Sequence, residues 1–220
     1  MVCLSIKIPV QARKFIEKEV PRKYRSRIPA LISDAYALAE QLTHDVDIFN
    51  WKLGHNHVGY LKRIAVEYML KKAIDEGKLP FIYKINSNKN KSSWHLEIET
   101  DNAIITTSQV QSKRAIARPA YFRDKLQEAN QLSFTFGSNT VDIKNEPYHL
   151  LLTHGYNSKT PSFINLGFPN QYGWVDYINL LTEPILVKNH SKQEKDTKEL
   201  LVDFKEFTKE VTNNGHKQQF

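Results

Sequence analysis

Six polar side chains fall where they could act together on a phosphate ester. Three acids follow one another within residues 94–101, a fourth lies in the helical segment before them, and two glutamines lie in the strand after them. Carboxylate oxygens bind Mg²⁺, which can stabilise an in-line phosphoryl displacement. One hypothesis is therefore a divalent-metal nuclease with Mg²⁺ as its cofactor. Its candidate residues are Glu67, Glu97, Glu99, Asp101, Gln109 and Gln111.

The same residues also fit a purely structural interpretation. In residues 94–100, Trp94, Leu96 and Ile98 alternate with polar residues, which is typical of a half-buried strand. Glu97, Glu99, Gln109 and Gln111 would then lie on solvent-exposed faces, and Glu67 would pair with basic residues one helical turn away. Both interpretations stay open at the level of the sequence.

Basic residues form a second candidate site, because they are concentrated in blocks and mixed with aromatic residues. Residues 1–28 hold eight Lys/Arg against two acids, and residues 61–93 hold eight against three. Lys and Arg contact phosphates, while aromatic rings stack on unpaired bases. DNA or RNA is the predicted partner, although a solvated lysine-rich surface would have the same composition. The predicted contacts are Arg22, Lys23, Arg25, Arg27, Lys62, Arg63, Lys89, Lys91, Lys113, Arg114, Arg118 and Arg123.

The helices and strands that position these residues are predicted to form a mixed α/β (α+β) fold. Apolar periodicity predicts helices over residues 11–20, 30–43, 57–76 and 120–131. Between the last two, a three-stranded meander is predicted over 81–85, 94–100 and 103–111, with a tight turn at Asp101-Asn102. Further strands are predicted at 148–153, 162–168 and 184–188, and 174–181 fits strand or helix. Residues 1–190, with a helical segment at 1–45, are expected to form one domain.

The C-terminal residues 191–220 are predicted to form an amphipathic helix with a frayed tail. Its apolar stripe would dock on the rest of the chain, or else form a homodimer or bind a partner's groove. The stripe consists of Leu200, Leu201, Phe204, Phe207, Thr208 and Val211.

The order helix, three strands, helix and further strands resembles the core of the PD-(D/E)xK nuclease superfamily over residues 57–135. That resemblance implies a carboxylate near the end of the second strand and Glu-x-Lys on the third, which together hold a divalent metal. Here Gln109-Val110-Gln111 stands in place of Glu-x-Lys, which implies a degenerate site. The strings His95–Thr100 and Ala120–Arg123 also resemble an uncharacterised bacterial protein family, which implies a bacterial or phage setting.

Composition further limits the classes of function that the chain can have. A single cysteine, Cys3, excludes an intrachain disulfide and a cysteine-based zinc site, and it fits a reducing, cytoplasmic compartment. No stretch of 18 apolar residues occurs, so no membrane partner is expected. The leading hypothesis is a nucleic-acid-binding protein of regulatory or defence type without catalysis or a firm cofactor. The alternatives are the metal-dependent nuclease and a non-catalytic interaction or dimerisation module.

Overall fold

The first third of the chain is helical, as its apolar periodicity predicts. The computed structural model describes residues 3–5, 11–88, 90–128, 133–135, 147–155, 158–170, 172–183 and 202–206. Within these residues, no helix is both long and apolar enough to cross a bilayer. A short 3-10 turn at Gly54–His57 leads into the fourth helix. The helices are α1 (Ala12–Glu19), α2 (Arg22–Arg25), α3 (Ile28–Asp45), α4 (Val58–Asp75) and α5 (Tyr121–Glu128).

A six-stranded mixed sheet confirms the predicted α+β class. Its order is β2-β3-β4-β6-β7-β8, and every neighbouring pair is antiparallel except β4 and β6, which run parallel. The predicted meander is β2-β3-β4, and residues 174–181 contribute a strand. The strands are β1 (Cys3–Ser5), β2 (Ile82–Ser87), β3 (Trp94–Glu99), β4 (Ala103–Gln109), β5 (Ser133–Thr135), β6 (Tyr148–His154), β7 (Ile164–Asn170) and β8 (Gly173–Asn179); β1 and β5 pair separately.

One face of the large sheet carries the apolar core. Successive strand residues point to opposite faces, and the registers place Ile98, Ile105, Leu150 and Leu166 on the same side. These side chains are buried in one cluster with apolar residues of α1, α3 and α4. Helices α1, α3 and α4 therefore cover this face of the sheet.

The opposite face is polar, yet it is also buried. Its fully or nearly buried side chains are His95, Glu97, Thr106, His149, Thr153 and Asn165. The structural interpretation that placed Glu97 on a solvent-exposed face is therefore wrong, because α5 and the segment before it cover this side. Phe122 stacks on His95, and Asn165 Nδ2 donates to the Lys113 carbonyl at 2.8 Å. Trp94, expected beside Leu96 in the core, is 57% exposed, because β3 begins there, beyond the part of the strand that pairs with β4.

The described part of the C-terminal segment packs on its own chain. Residues 202–206 are helical, and the Phe204 ring lies edge-on to Tyr68 of α4, with centroids 4.9 Å apart. The Asp203 carboxylate also pairs with Lys72. These contacts favour intramolecular docking over a dimer for this turn. The other stripe residues (Leu200, Leu201, Phe207, Thr208 and Val211) and the strand predicted at 184–188 lie outside the described residues.

The predicted turn at 101–102 is held by a carboxylate from α1. Glu19 is buried and accepts hydrogen bonds from the Asn102 backbone N–H at 2.9 Å, Asn102 Nδ2 at 2.8 Å and Thr100 Oγ1 at 2.6 Å. The β3–β4 turn is therefore tied to the helical layer, which fixes β3 against β4 at this end.

Replacing Glu19 with alanine should destabilise the protein by about 2–4 kcal/mol, because it leaves the donors of the turn unsatisfied. Urea unfolding followed by circular dichroism measures this change. Glu17→Ala on the same helix is the matched control: Glu17 is exposed and, among the residues that the structure describes, pairs only with Arg13 at 3.6 Å, so its loss should cost at most about 0.5 kcal/mol. Equal losses for the two variants would contradict the role given to Glu19.

Candidate nucleic-acid interface

The candidate site begins where β3 and β4 separate. The two strands pair only from Glu97↔Thr106 to Glu99↔Ile104. Toward its start, β3 stays paired with β2 as far as Trp94, and toward its end β4 stays paired with β6 as far as Gln109. The strands thus diverge and leave a gap between residues 94–96 and 107–109, here called the fork.

Helix α5 lies over the fork because of the strand order. β4 and β6 are parallel neighbours, so the chain between them must cross over the sheet, and α5 belongs to that crossover. The Phe122 ring stacks on the His95 imidazole with centroids 3.7 Å apart and an interplanar angle of 22°. Arg123 Nη2 approaches the Thr107 carbonyl at 3.5 Å, so the guanidinium reaches into the fork.

Helix α4 supplies the opposite wall of the fork. Arg63 Nε donates to Glu67 Oε1 at 3.3 Å, and Arg63 Nη2 donates to the Trp94 carbonyl at 2.8 Å. Thr107 Oγ1 also lies 3.4 Å from Glu67 Oε1. Burial raises the pKa of the Glu67 carboxyl, although Arg63 beside it acts in the opposite direction.

A second carboxylate lies on the polar face of the sheet and has a histidine partner. His95 Nε2 is 2.8 Å from Glu97 Oε1, and Asn86 Nδ2 donates to Glu97 Oε2 at 2.7 Å. The bond from His95 lowers the pKa of Glu97 despite partial burial. Nearby, His149 Nε2 is 2.9 Å from Thr106 Oγ1, and burial together with Arg123 lowers the pKa of His149 to about 3. His149 is therefore neutral at physiological pH.

The charges around the fork are unbalanced. Arg123 forms no ion pair within the described residues, and its buried Nε has no hydrogen-bond partner there. Its Nη1 donates only to the Arg118 carbonyl, at 3.1 Å. Burial, followed by repulsion from Arg63, lowers the pKa of Arg123 to about 10, so it stays cationic at neutral pH. Two guanidiniums thus face one carboxylate, Glu67, which favours an anionic ligand.

Two adjoining cavities of about 500 and 520 Å³ open around this pair of arginines. Both are lined by Arg63 and Arg123, and together they are called the basic groove. The first contains Glu67, His95 and Tyr121, and the second runs past Tyr60, Gln109 and Arg118. Each cavity has the size of a small-ligand pocket.

The structure brings only some of the acidic candidates together. Glu67 lies at the fork and Glu97 beside His95, whereas Gln109 and Gln111 line the second cavity. Glu99 pairs with Lys84 at 2.6 Å and lines neither cavity, and Asp101 is exposed in the β3–β4 turn. Asp101 and Glu99 therefore do not belong to the groove.

These donors do not fit a divalent cation. Glu67 Oε1 is bonded to both Arg63 and Thr107, and the two Glu97 oxygens are bonded to His95 and Asn86, so three of the four carboxylate oxygens already have partners. Among the described residues, no three His, Cys, Asp or Glu side chains are grouped to hold a metal ion. The Mg²⁺ site implied by the nuclease resemblance has no ligand set in this part of the chain.

The basic candidates divide between the groove and other surfaces. Arg63, Arg118 and Arg123 line the groove. Other candidates are exposed without lining it, and Lys89 lies outside the described residues. The exposed ones are Lys91 in the β2–β3 loop, Lys113 and Arg114 after β4, and Arg22, Lys23 and Arg27 near α2.

For Arg25 and Lys62 the prediction of phosphate contact is wrong. Each side chain is only 4% exposed. Arg25 Nε donates to Glu183 Oε2 at 2.9 Å, and Lys62 Nζ donates to the Ser158 carbonyl at 2.8 Å and pairs with Glu40 at 3.2 Å. Both cations are committed to partners inside the fold.

The sequence does not single out two residues that line the groove, His95 and Tyr60, or two residues at the fork, Trp94 and Thr107. The alternation of His95 with Leu96 fits a solvent-exposed strand face. Aromatic residues near the start of predicted elements are the available signal for Tyr60 and Trp94. Nothing local distinguishes Thr107, because its role depends on the divergence of two strands.

No protein-family model, curated protein or solved structure matches the chain. The resemblances drawn from the sequence therefore stay predictions, and the functional argument depends on the groove itself.

Glu67→Gln and Glu97→Gln should change stability with opposite pH dependence. Since the pKa of Glu67 is raised on folding, the wild type should lose stability relative to E67Q as pH rises above the ordinary carboxyl range. Since the pKa of Glu97 is lowered, the wild type should hold its advantage over E97Q above that range and lose it as pH falls through the lowered pKa. Urea unfolding from about pH 3 to about pH 8 measures both differences. If the two differences in stability changed with pH in the same direction, the opposite pKa shifts assigned to Glu67 and Glu97 would be wrong.

Proposed function

We propose that this chain is a nucleic-acid-binding protein of regulatory or defence type, and that it binds a single strand in the basic groove. The observation that carries the proposal is the pair Arg63 and Arg123, two cations that line a groove whose one acidic lining residue among those described, Glu67, is paired with Arg63. Phosphate oxygens complement guanidinium donors in charge and in geometry.

Aromatic residues around the groove favour a single strand over a duplex. Tyr60 is 65% exposed, Trp94 57% and Tyr121 53%. Tyr60 and Tyr121 line the two cavities, and the Trp94 carbonyl is bonded to Arg63. Unpaired bases can stack on such rings, whereas bases inside a duplex are stacked on one another. Rings placed beside arginines thus support binding of bases and phosphates in the same groove.

The N-terminal basic block plays a smaller part in this proposal. Its exposed members Arg22, Lys23 and Arg27 do not line the groove, and Arg27 Nη1 donates to the Lys78 carbonyl. These residues add to the positive field of the protein, which accelerates encounter with a polyanion but does not define the site.

Binding without metal-dependent cleavage is the function that the groove supports best. The carboxylates that would hold Mg²⁺ are bonded to Arg63 and His95. Arg63 lies next to the Glu67 carboxylate in the place of a metal ion. Its positive charge still attracts phosphates, but a guanidinium cannot activate a bound water as a metal ion does.

A salt titration of binding to a fluorescent single-stranded oligonucleotide tests the proposal. The affinity should fall as salt rises, with a log–log slope of about −0.7 for each phosphate contacted. Arg63→Ala should weaken binding and flatten the slope by about one contact. Tyr60→Ala, which removes an exposed ring that lines the second cavity, should weaken binding by about tenfold at every salt concentration, because a stacked base loses its platform.

Tyr172→Ala is the matched control for the stacking effect. Tyr172 is 88% exposed but lines neither cavity, so its replacement should leave the affinity unchanged. Absence of binding at low salt, or an affinity independent of salt, would overturn the proposal. Equal losses for the Tyr172 and Tyr60 variants would show that the groove is not the binding site.

A further inference from the structure

We propose that the basic groove recognises a terminal phosphate, the phosphomonoester at the end of a strand or on a nucleotide, held between Arg63 and Arg123. This inference rests on the nucleic-acid-binding function proposed above and makes it more specific. It names the ligand group and the two side chains that would select it.

The charges at the fork favour a phosphomonoester over a phosphodiester. Arg63 uses Nε for Glu67 and Nη2 for the Trp94 carbonyl, while Arg123 contacts two backbone carbonyls and, within the described residues, no carboxylate. The acids whose charges act on Arg123 are Glu67, which already pairs with Arg63, and Asp124 of the same helix. A phosphomonoester carries up to two negative charges near neutral pH, whereas a phosphodiester carries one. The monoester therefore neutralises two guanidiniums more completely.

The shape of the site also favours a terminal phosphate. Arg123 reaches into the gap between β3 and β4 beneath α5, and its Nε is fully covered. Helix α4 forms the other wall through Arg63 and Glu67. The sheet closes the inner side of this recess, so a phosphate enters it from the groove. A terminal phosphate, with a sugar on one side, can lie deeper in such a recess than a phosphodiester, which has a sugar on both sides.

Helix α5 adds backbone donors on the same side. Arg123 is the third residue of this eight-residue helix, and the N–H groups in the first turn of a helix have no partner within that helix. These N–H groups and the helix dipole favour an anion at this end. Here the helix end only reinforces the site that the two arginines define.

The first cavity also provides a stacking surface for the base of the nucleoside. The Tyr121 ring is exposed and lines the first cavity together with Arg123. Lys125 Nζ lies 5.0 Å from the centroid of this ring on the same helix. A base attached to the bound phosphate can stack on Tyr121, while the following phosphate lies near Lys125.

The test compares labelled single strands of one sequence that carry a 5′-phosphate, a 3′-phosphate or hydroxyls at both ends. One phosphorylated form should bind at least about tenfold more tightly than the hydroxyl form, measured by fluorescence polarisation. Arg123→Lys should abolish most of this preference, because lysine keeps the positive charge but lacks the planar set of N–H donors of arginine. Arg114→Ala, an exposed cation outside the groove, should leave the preference intact.

Competition identifies the source of the phosphate. Displacement of the labelled strand by a nucleoside monophosphate, but not by the nucleoside, would support the site and show that a free nucleotide suffices. Displacement only by a phosphorylated strand would support it as a strand-end site. Equal affinity for all three strands would overturn the inference and leave single-strand binding standing, whereas no binding of any strand would overturn both. The wild-type comparison needs no variant, so it decides the matter even if Arg123→Lys does not fold.

Discussion

The parallel pairing of β4 with β6 is the constraint on which the site depends. Two adjacent strands that run in the same direction cannot be joined by a tight turn, so the chain has to travel back over the sheet. In this protein the returning chain carries α5 across the face opposite to α1, α3 and α4. The crossover presses Phe122 onto His95 and directs Arg123 between β3 and β4. Without this crossover, the polar face of the sheet would be open to water and no helix would cover the fork on this side.

The polar face also explains why the groove is suited to binding. Charged groups that are taken out of water are costly unless partners compensate them. Glu97 is compensated by His95 and Asn86, and Glu67 by Arg63. Arg123 is compensated least, because its contacts are carbonyl oxygens and the face of the Phe122 ring, 4.6 Å from the guanidinium carbon. A group left in this state gains most from an anionic ligand, which ties the electrostatics of the fold to its proposed function.

The sequence allowed the elements to be predicted but not the contacts between distant segments. Helix α4 and the β2-β3-β4 meander follow from apolar periodicity and turn residues, which are local properties. Arg25 and Glu183 are 158 positions apart, so nothing near Arg25 marks it as buried. Lys62 did carry a signal: it lies one helical turn before Val66 and two before Met69, both buried. The periodicity of α4 therefore placed Lys62 on its inner face, although its charge suggested the surface.

The most direct measurement of the central claim is an NMR titration that follows the Nε–H resonances of the arginine side chains as a single-stranded oligonucleotide is added. The account predicts that the resonances of Arg63 and Arg123 shift together, along one saturation curve. The resonances of Arg22 and Arg27, outside the groove, should shift little. Shifts confined to Arg22 and Arg27, with Arg63 and Arg123 unchanged, would contradict the account.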